Sequence, residues 1–600
     1  MTIRRIFSIL LCVVPAGYAA AVSAGEPPLW RAANGEIALT FKPMILADLG
    51  LQVTSDDAPG GSGTTRVYGP TRGTLEFQRL ASGTLVFHSG RLTVSAALRF
   101  SRQGREFSTT GIAITPQAEI GNGVLRISDS QGRVLFSAAM PRTRFDTRRQ
   151  QVFFEHMDLR LTAEFAQRLG DERLAGLFVG ELNLSSLLHA PAIPVVAASC
   201  AGRPYWTTDG YTADLGLIDM ADIADVGTVT TPDGVLDLIT PRSLMKNLVD
   251  LSGADIPWFE KFSGTFPPFN NDQHPYLIWN LYRIADGRLE QLGRSGAKHG
   301  IMAMNANCLI ECGDGGIPGA DHHILWPGCE DEYGIGINDW DCGIGPRDEV
   351  NPRTGVFVSS GSFFDQNGDG VEDHCSTAPG ENRLRVLRQD LQTANAEYYF
   401  ESWGVNRDDS QIFNSMGYHH FTSHQLFGDT WVFQLAPFVT GPVVDLWVDP
   451  LAPGAGEWSA LYSTPGVGRF KLAVRTVDLG DGTWRYDYFA MNFDVDREVS
   501  GFELDSDANT TIADFEFHDA DQQSSNAWSM TRLPLAVRFT APVENPIPWG
   551  TGYTFSFTAD APPDQGAAEL TLAAAGTPQR FSLATLVPRL PEMFFRDGFE

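Results

Sequence analysis

Long apolar runs and basic residues are both scarce in this 600-residue sequence. A membrane-spanning helix needs about 20 consecutive apolar residues, and we find no stretch of about 18 beyond the N-terminal segment, so no membrane insertion is expected. Lys and Arg number 44 against 73 Asp and Glu, which gives a formal net charge of −29. Because such a surface repels phosphate backbones, we also expect no nucleic acid partner. G-x-S-x-G and H-E-x-x-H motifs are absent, which argues against common hydrolase classes.

Cysteine is sparse as well, with seven residues in the chain, of which Cys12 lies in the N-terminal segment. Residues 1–24 combine a charged start, an apolar run and small closing residues, a pattern typical of a secretory signal peptide. Its removal leaves an even number of cysteines, which in an exported chain indicates disulfides, although the C-x3-C pair Cys308 and Cys312 is also half of a zinc motif. We therefore expect a secreted protein, located in the periplasm, at the cell surface or outside the cell.

Short apolar runs alternate with Gly- and Ser-rich turns along most of the chain, and this period-two pattern predicts an all-β, multidomain fold. One short helix is predicted at 163–169, before Gly170. After the signal peptide, we expect an N-terminal β-rich domain at 27–195, a central β-sandwich at 200–445, a C-terminal β-sandwich at 446–580 and a tail at 581–600.

An acidic loop forms an insertion at 361–375 in the central domain. Its oxygen-bearing side chains alternate along the loop, and Gly370 permits a sharp turn around a cation. The loop resembles the calcium loops of thrombospondin type 3 and dockerin repeats, so calcium with a structural role is expected, with an ion-free acidic turn as the alternative. The expected calcium ligands are Asp365, Asn367, Asp369 and Asp373.

Three residues that can carry chemistry stand at fixed intervals in the central domain. His274 precedes Lys298 by 24 positions, and Lys298 precedes Tyr333 by 35. A predicted strand, GIMAMNA, follows the lysine, and Tyr333 closes a G-C-x-D-x-Y motif that also contains Asp331. If the lysine amine adds to an oxidised tyrosine ring, the product is a tethered quinone. Such a quinone can condense with a primary amine while a nearby carboxylate removes the α-proton.

These residues resemble the lysyl oxidase family, whose Lys and Tyr intervals, G-C-x-D-x-Y motif and D-x-D-C motif match here. The resemblance covers about 205–425 and implies a lysyl-oxidase-like β-sandwich. It also implies an exported copper amine oxidase that oxidises a primary amine or protein lysine with O2. Lys298 and Tyr333 would form a lysyl tyrosylquinone cofactor, and Asp331 would be a base by its position.

The copper motif departs from the family pattern. At the three positions of H-x-H-x-H the sequence has Asn270, Asp272 and His274. Copper(II) favours several nitrogen ligands, so other histidines would have to complete the site. We expect His274 and Asp272 to bind copper with His322 or His323. The further candidates are His299, His374, His419, His420 and His424.

A second resemblance is to a large group of uncharacterised exported bacterial proteins. It rests on NDQHP, NLYR, KHG and GPRDEVN, and on GDGTWRYDY in the third domain, and spans about 205–570. The alternative function is therefore a calcium-stabilised, non-catalytic cell-surface or extracellular binding protein on the same fold. In that alternative Lys298 is a surface lysine, Tyr333 a core tyrosine and His274 a turn residue.

Overall fold

The computed structural model describes residues 29–55, 65–79, 85–117, 124–139, 142–146, 149–189, 204–308, 323–521 and 524–589. The expected signal peptide therefore lies outside the described residues, as do Cys200, Cys312 and His322. Antiparallel strands dominate the described part, and the predicted all-β, multidomain fold is confirmed. No helix in this part is long and apolar enough to cross a membrane.

The N-terminal domain is a sheet that closes on itself. Its strands are β1 (Trp30–Phe41), β2 (Gln52–Ser55), β3 (Thr65–Tyr68), β4 (Arg72–Arg79), β5 (Leu85–Val94), β6 (Leu98–Arg102), β7 (Arg105–Ser108), β8 (Ile112–Pro116), β9 (Leu125–Asp129), β10 (Val134–Ala139), β11 (Arg142–Asp146), β12 (Gln151–Leu161) and β13 (Phe178–His189). The order β10-β9-β8-β5-β4-β1-β13-β12 forms a ring, because β12 pairs with both β13 and β10.

Two short helices accompany this ring, α1 (Pro43–Asp48) and α2 (Ala163–Arg168). Helix α2 confirms the predicted helix. It begins where the Thr162 side chain accepts a hydrogen bond from the Phe165 amide, and the chain turns away at Gly170, whose φ is 90°. Apolar side chains of the ring, such as Phe77 and Phe154, fill the interior of the domain.

The central domain consists of two main sheets. Its strands are β14 (Leu215–Thr231), β15 (Gly234–Asn247), β16 (Ile256–Pro257), β17 (Tyr276–Ala285), β18 (Arg288–Arg294), β19 (Ala297–His299), β20 (Ile324–Leu325), β21 (Glu330–Tyr333), β22 (Ile344–Gly345), β23 (Leu384–Leu387), β24 (Glu397–Val405), β25 (Met416–Phe427), β26 (Thr430–Leu435) and β27 (Val439–Thr440). Its helices are α3 (Ile335–Asn338) and α4 (Val443–Trp447).

The smaller main sheet has the order β14-β15-β21, with β23 also paired to β15. The larger one has the order β22-β19-β17-β24-β25-β26, with β18 and β27 attached. Apolar residues of both sheets meet in one buried cluster, for example Ile239 on β15 with Trp279 on β17. The central domain is therefore a sandwich whose core lies between the two sheets.

The C-terminal domain is a sandwich of two five-stranded sheets. Its strands are β28 (Glu457–Thr464), β29 (Gly468–Asp478), β30 (Trp484–Asn492), β31 (Val499–Asp505), β32 (Ile512–His518), β33 (Ser529–Leu533), β34 (Ala536–Thr540), β35 (Thr551–Ala559), β36 (Pro563–Leu572) and β37 (Arg580–Pro588). Strand β37 pairs along its whole length with β36.

Two of the expected boundaries are corrected by these elements. The tail expected at 581–600 begins too early, because β37 continues to Pro588 and buries Phe581, Leu583 and Val587 in the C-terminal core. The boundary expected at 445 falls inside α4, whose apolar residues pack in a cluster shared by the central and C-terminal domains.

Candidate functional site

Lys298 and Tyr333 lie on opposite sheets of the central sandwich. Lys298 is on β19, between β17 and β22, and Tyr333 is the last residue of β21, opposite Ser243 of β15. The Nζ atom of Lys298 lies 4.7 Å from the centre of the Tyr333 ring. Both side chains are buried, with exposed fractions of 1% and 4%. The structure therefore brings together the two residues that the sequence intervals singled out.

Strand β21 alternates between the core and an outer face. Asp331 and Tyr333 are both buried, as residues two apart on a strand share a face. Their neighbours Glu330 and Glu332 point the other way and form ion pairs with Lys246 and Arg242. The alternation thus places a carboxyl group next to the tyrosine, on the core side.

The Tyr333 hydroxyl is held by two nitrogen donors. It accepts a hydrogen bond from the Trp258 indole Nε1 at 2.7 Å and another from the Ile301 amide at 2.9 Å. The neighbouring Asp331 carboxylate accepts the Met304 amide at 2.7 Å. Trp258 is a site residue that the sequence analysis missed, because no local motif marks it.

These bonds correct the strand predicted for GIMAMNA. Residues 300–305 form no strand, and Ala306 makes only an isolated bridge to Glu330. The amides of Ile301 and Met304 are taken by side chains of β21 instead of by a neighbouring strand. The segment therefore wraps over the tyrosine instead of extending the sheet.

Gly300 allows this segment to pass close to the site. A Cβ atom at this position would lie 2.9 Å from the Pro275 carbonyl oxygen, 3.0 Å from Trp258 Nε1 and 3.1 Å from His274 Cβ. Any side chain would therefore push apart the indole that holds Tyr333 and the segment before β17 that carries His274.

Asp331 has an ionisation suited to proton transfer. Burial raises the pKa of its carboxyl group to about 7, against the opposing effects of the Met304 amide, the Tyr333 hydroxyl and the Lys298 cation. A buried carboxyl group with a pKa near neutrality, beside a lysine and a tyrosine, is the kind of group that acts as a general base.

His274 pairs with His299, the residue directly after the site lysine. His274 Nδ1 donates to the Phe259 carbonyl oxygen at 2.6 Å, so its Nε2 accepts from His299 Nδ1 at 2.9 Å. Burial lowers the pKa of His274 to about 3, and it lowers that of His299 as well, so both rings are neutral. Within the described residues, His299 Nε2 is a buried acceptor with no hydrogen-bond partner.

Asp272 and His323, the expected copper ligands that the structure describes besides His274, have other contacts. Asp272 is buried, and its carboxylate accepts the amides of Phe262 and Gly264, which fixes a turn. In the described ranges, no group of three His, Cys, Asp or Glu ligand atoms includes His274. The charges of Lys261 and Lys298 also lower the pKa values of both imidazoles and oppose a bound cation. The described residues therefore do not fit a copper(II) ion, which favours several nitrogen ligands.

The other candidate histidines have different surroundings. His323 stacks on Phe259, with ring centres 5.0 Å apart. His374 packs against Phe363. The remaining three lie on β25, where each contacts residues away from Tyr333; they are His419, His420 and His424.

Two disulfides brace the loops around the tyrosine, as predicted. Cys308–Cys329 joins the segment that covers Tyr333 to the start of β21. Cys342–Cys375 joins the chain after α3 to the end of the acidic loop. These bonds are consistent with an oxidising, extracellular location.

The acidic loop forms a compact turn. Asp365 is fully buried and its carboxylate accepts four backbone amides, from Gly361, Gly368, Asp369 and Gly370. Burial opposes ionisation, but these amides hold the pKa of Asp365 below its usual range. Asp365 therefore shapes the turn from inside. Its oxygens are already occupied, which makes it a poor fit to a direct calcium ligand.

The other expected calcium ligands lie on the exposed side of the loop. Asn367 and Asp369 each accept one amide, from Asp369 and Val371 respectively, and Asp373 accepts the Gln366 amide. The oxygens of each of these side chains can therefore still accept a further contact, such as one to a cation. Calcium binding at this loop stays a prediction.

Comparison with known proteins assigns no family. No family model and no curated protein matches the chain. Among solved structures, the C-terminal domain of HtaA from Corynebacterium glutamicum is 11% identical, with a TM-score of 0.19, over 26% of this chain and 99% of that one. The serine-rich repeat adhesion glycoprotein Srr1 from Streptococcus agalactiae is 10% identical, with a TM-score of 0.14, over 36% of this chain and 71% of that one. At these scores neither likeness bears on function.

Proposed function

We propose that the protein is an exported amine oxidase of the lysyl oxidase type, which uses O2 to oxidise primary amines or protein lysines at a cofactor made from Lys298 and Tyr333. The observation that carries the proposal is the distance of 4.7 Å between Lys298 Nζ and the centre of the Tyr333 ring. If O2 oxidises the Tyr333 ring to an ortho-quinone with release of water, an amine at this distance is placed to add to the ring, and a second O2 would restore the quinone with release of peroxide.

The surrounding residues suit this chemistry. A lysyl tyrosylquinone supplies a carbonyl that condenses with a primary amine and accepts two electrons from it. Trp258 and the Ile301 amide hold the ring oxygen in place. Asp331, with a pKa of about 7, can take up a proton at neutral pH. The net charge of −29 would attract cationic amines and basic proteins.

The family resemblance implies copper, but the residues described around His274 do not supply its ligands. The proposal rests on the Lys–Tyr–Asp cluster alone. A test must therefore detect the modified residues themselves as well as turnover.

Intact mass spectrometry of protein produced in air with added copper is the first test. The proposal expects a mass that differs from the sequence mass by gain of oxygen and loss of hydrogen, and a single cross-linked peptide that contains Lys298 and Tyr333. Both should be absent from Lys298→Met and Tyr333→Phe. Lys246→Met is the matched control, because this lysine pairs with Glu330 on the outer face of the same sheet.

Peroxide release from a primary amine is the second test, and it should follow the same pattern among the variants. Folded protein with an unmodified mass and no peroxide release would refute the proposal.

A specific observation favours a non-catalytic binding protein as the second candidate. Five side chains of the cluster have exposed fractions of 4% or less; they are His274, Lys298, His299, Asp331 and Tyr333. Polar side chains buried this deeply also suit a purely structural role in the core of the domain. This candidate expects that Tyr333→Phe lowers stability while no amine-dependent activity exists to be lost.

A further inference from the structure

Helix α3 begins directly after the site tyrosine, and its first amides are bound by the N-terminal domain. The helix runs from Ile335, and its N-cap residue, Gly334, has no side chain to cap it. Asp158, on β12 of the N-terminal ring, accepts hydrogen bonds from the Ile335 amide at 2.9 Å and the Gly336 amide at 2.6 Å. A residue far away in sequence thus caps the helix that continues from Tyr333.

Glycine on the central domain makes this approach possible. A Cβ atom on Gly334 would lie 2.8 Å from Asp158 Oδ2, and one on Gly336 would lie 2.8 Å from Glu181 Cγ. Gly334 has φ −68° and ψ 171°, a conformation open to any residue. Glycine is therefore needed at this position for the close contact with the N-terminal domain, and not for the backbone conformation.

The other end of α3 is held by the same domain. Asp339, which ends the helix, accepts the Lys42 ammonium at 2.7 Å, and Lys42 also pairs with Glu181 at 3.3 Å. Glu181 in turn binds His156 Nδ1 at 2.6 Å. Burial disfavours the Lys42 charge, but Asp339 and Glu181 more than offset this and raise its pKa.

We propose that Asp158 and Lys42 are positioning residues, through which the N-terminal domain holds α3 at both ends and sets the place of the Tyr333 ring relative to Lys298. The N-terminal domain then acts on the site through α3. The contact itself is independent of the proposed function, while its consequence for Lys–Tyr chemistry rests on that function.

Hydrogen exchange of the full chain tests the contact. Asp158→Asn keeps the size of the side chain but turns an NH2 group towards one of the two helix amides. We expect the amides of α3 to exchange about tenfold faster or more, because a buried donor loses its acceptor. Asp222→Asn is the matched control, because Asp222 pairs with Arg160 at a partly exposed point of the same domain interface.

A variant of the central domain, on the other side of the contact, provides a second test in case Asp158→Asn misfolds. Gly334→Ala should give the same local increase in exchange through the clash with Asp158, and Asp158→Ala added to it should give little further increase, because both changes break one contact. If the α3 amides of Asp158→Asn and Gly334→Ala exchange at the same rate as those of Asp222→Asn, the proposed contact is overturned.

The cross-linked fraction tests the consequence. At equal folded fraction, Asp158→Asn and Lys42→Met should yield several-fold less Lys298–Tyr333 cross-link than Asp222→Asn, whereas a merely structural contact would leave this fraction unchanged. An unchanged fraction would overturn the positioning role. If no variant and no wild-type protein is cross-linked while α3 still loosens, the amine oxidase proposal fails and the contact with the N-terminal domain stands.

Discussion

The Trp258 indole and the Tyr333 hydroxyl are joined by a hydrogen bond of 2.7 Å in the core of the central sandwich. The two residues are distant in sequence, and their rings meet edge to face. Trp258 is fully buried, and its indole fixes the oxygen end of the tyrosine ring while Lys298 lies over the ring face. The site tyrosine is thus held from two directions at once.

A double-mutant cycle should detect this bond. Trp258→Phe removes the indole donor, and we expect it to lower the free energy of unfolding by about 1–3 kcal/mol, because Tyr333 loses a partner and the smaller ring leaves space. Tyr333→Phe in the Trp258→Phe background should cost less than in the wild type, by about 1 kcal/mol. Denaturant unfolding of the four proteins measures both values. Strictly additive effects would show that the bond contributes nothing.

Removal of the disulfide Cys342–Cys375 should destabilise the protein. The bond closes a loop with a sequence separation of 33, against 21 for Cys308–Cys329. Chain entropy then predicts a loss of about 3.7 kcal/mol for the double alanine variant, against about 3.3 kcal/mol for the other pair. Thermal unfolding of both variants measures the difference, and thiol titration of denatured, unreduced wild type should find these four cysteines unreactive. Reactive thiols at these positions would contradict the structure.

The sequence alone was enough to predict elements that depend on local signals. The helix at α2 appears as predicted, because the capping residue before it and the glycine after it are local signals. Strand β17 is likewise a short continuous apolar run, which the residues of the strand itself show. The closeness of Lys298 and Tyr333 was predicted from their spacing and from the family resemblance. No local signal in either strand indicates which sheet the strand packs against.

The residues that complete the site carry no such signal. GIMAMNA alternates like a strand, yet its amides bind Tyr333 and Asp331. Asp158 caps α3 from another domain, and its role depends on a domain contact that periodicity cannot encode. The hydrogen bond between His299 and His274 likewise depends on how strand β19 packs against the segment that precedes β17.

Calcium should stabilise the protein if the acidic loop binds it. Asp369 and Asp373 are exposed and each uses one oxygen within the loop, so Asp369→Asn with Asp373→Asn should abolish a calcium-dependent rise in the melting temperature. Calorimetry with chelator and with excess calcium measures this rise. Asp341→Asn is a suitable control, because this exposed carboxylate lies outside the loop and pairs with Arg383. An equal melting temperature in both conditions would refute calcium binding.

The buried carboxyl groups should make the protein less stable as the pH rises. Burial raises the pKa of Asp331 from 3.8 to about 7 and that of Glu401 from 4.5 to about 7. Between the unfolded and folded pKa values the folded state holds protons that the unfolded state has released, so raising the pH through this range favours unfolding. This contribution is fully present below about pH 4 and is lost by about pH 7.

Asp331→Asn isolates the part of this effect that belongs to the site. The amide does not titrate, so the variant should gain roughly 2–4 kcal/mol relative to wild type between about pH 4 and pH 8. Urea unfolding across this range measures the difference. Glu330→Gln is the control, because Glu330 lies on the outer face of the same strand and pairs with Lys246. Parallel pH curves for Asp331→Asn and wild type would show that Asp331 ionises in the folded protein as it does in the unfolded chain, and would remove it as a base with a pKa near neutrality.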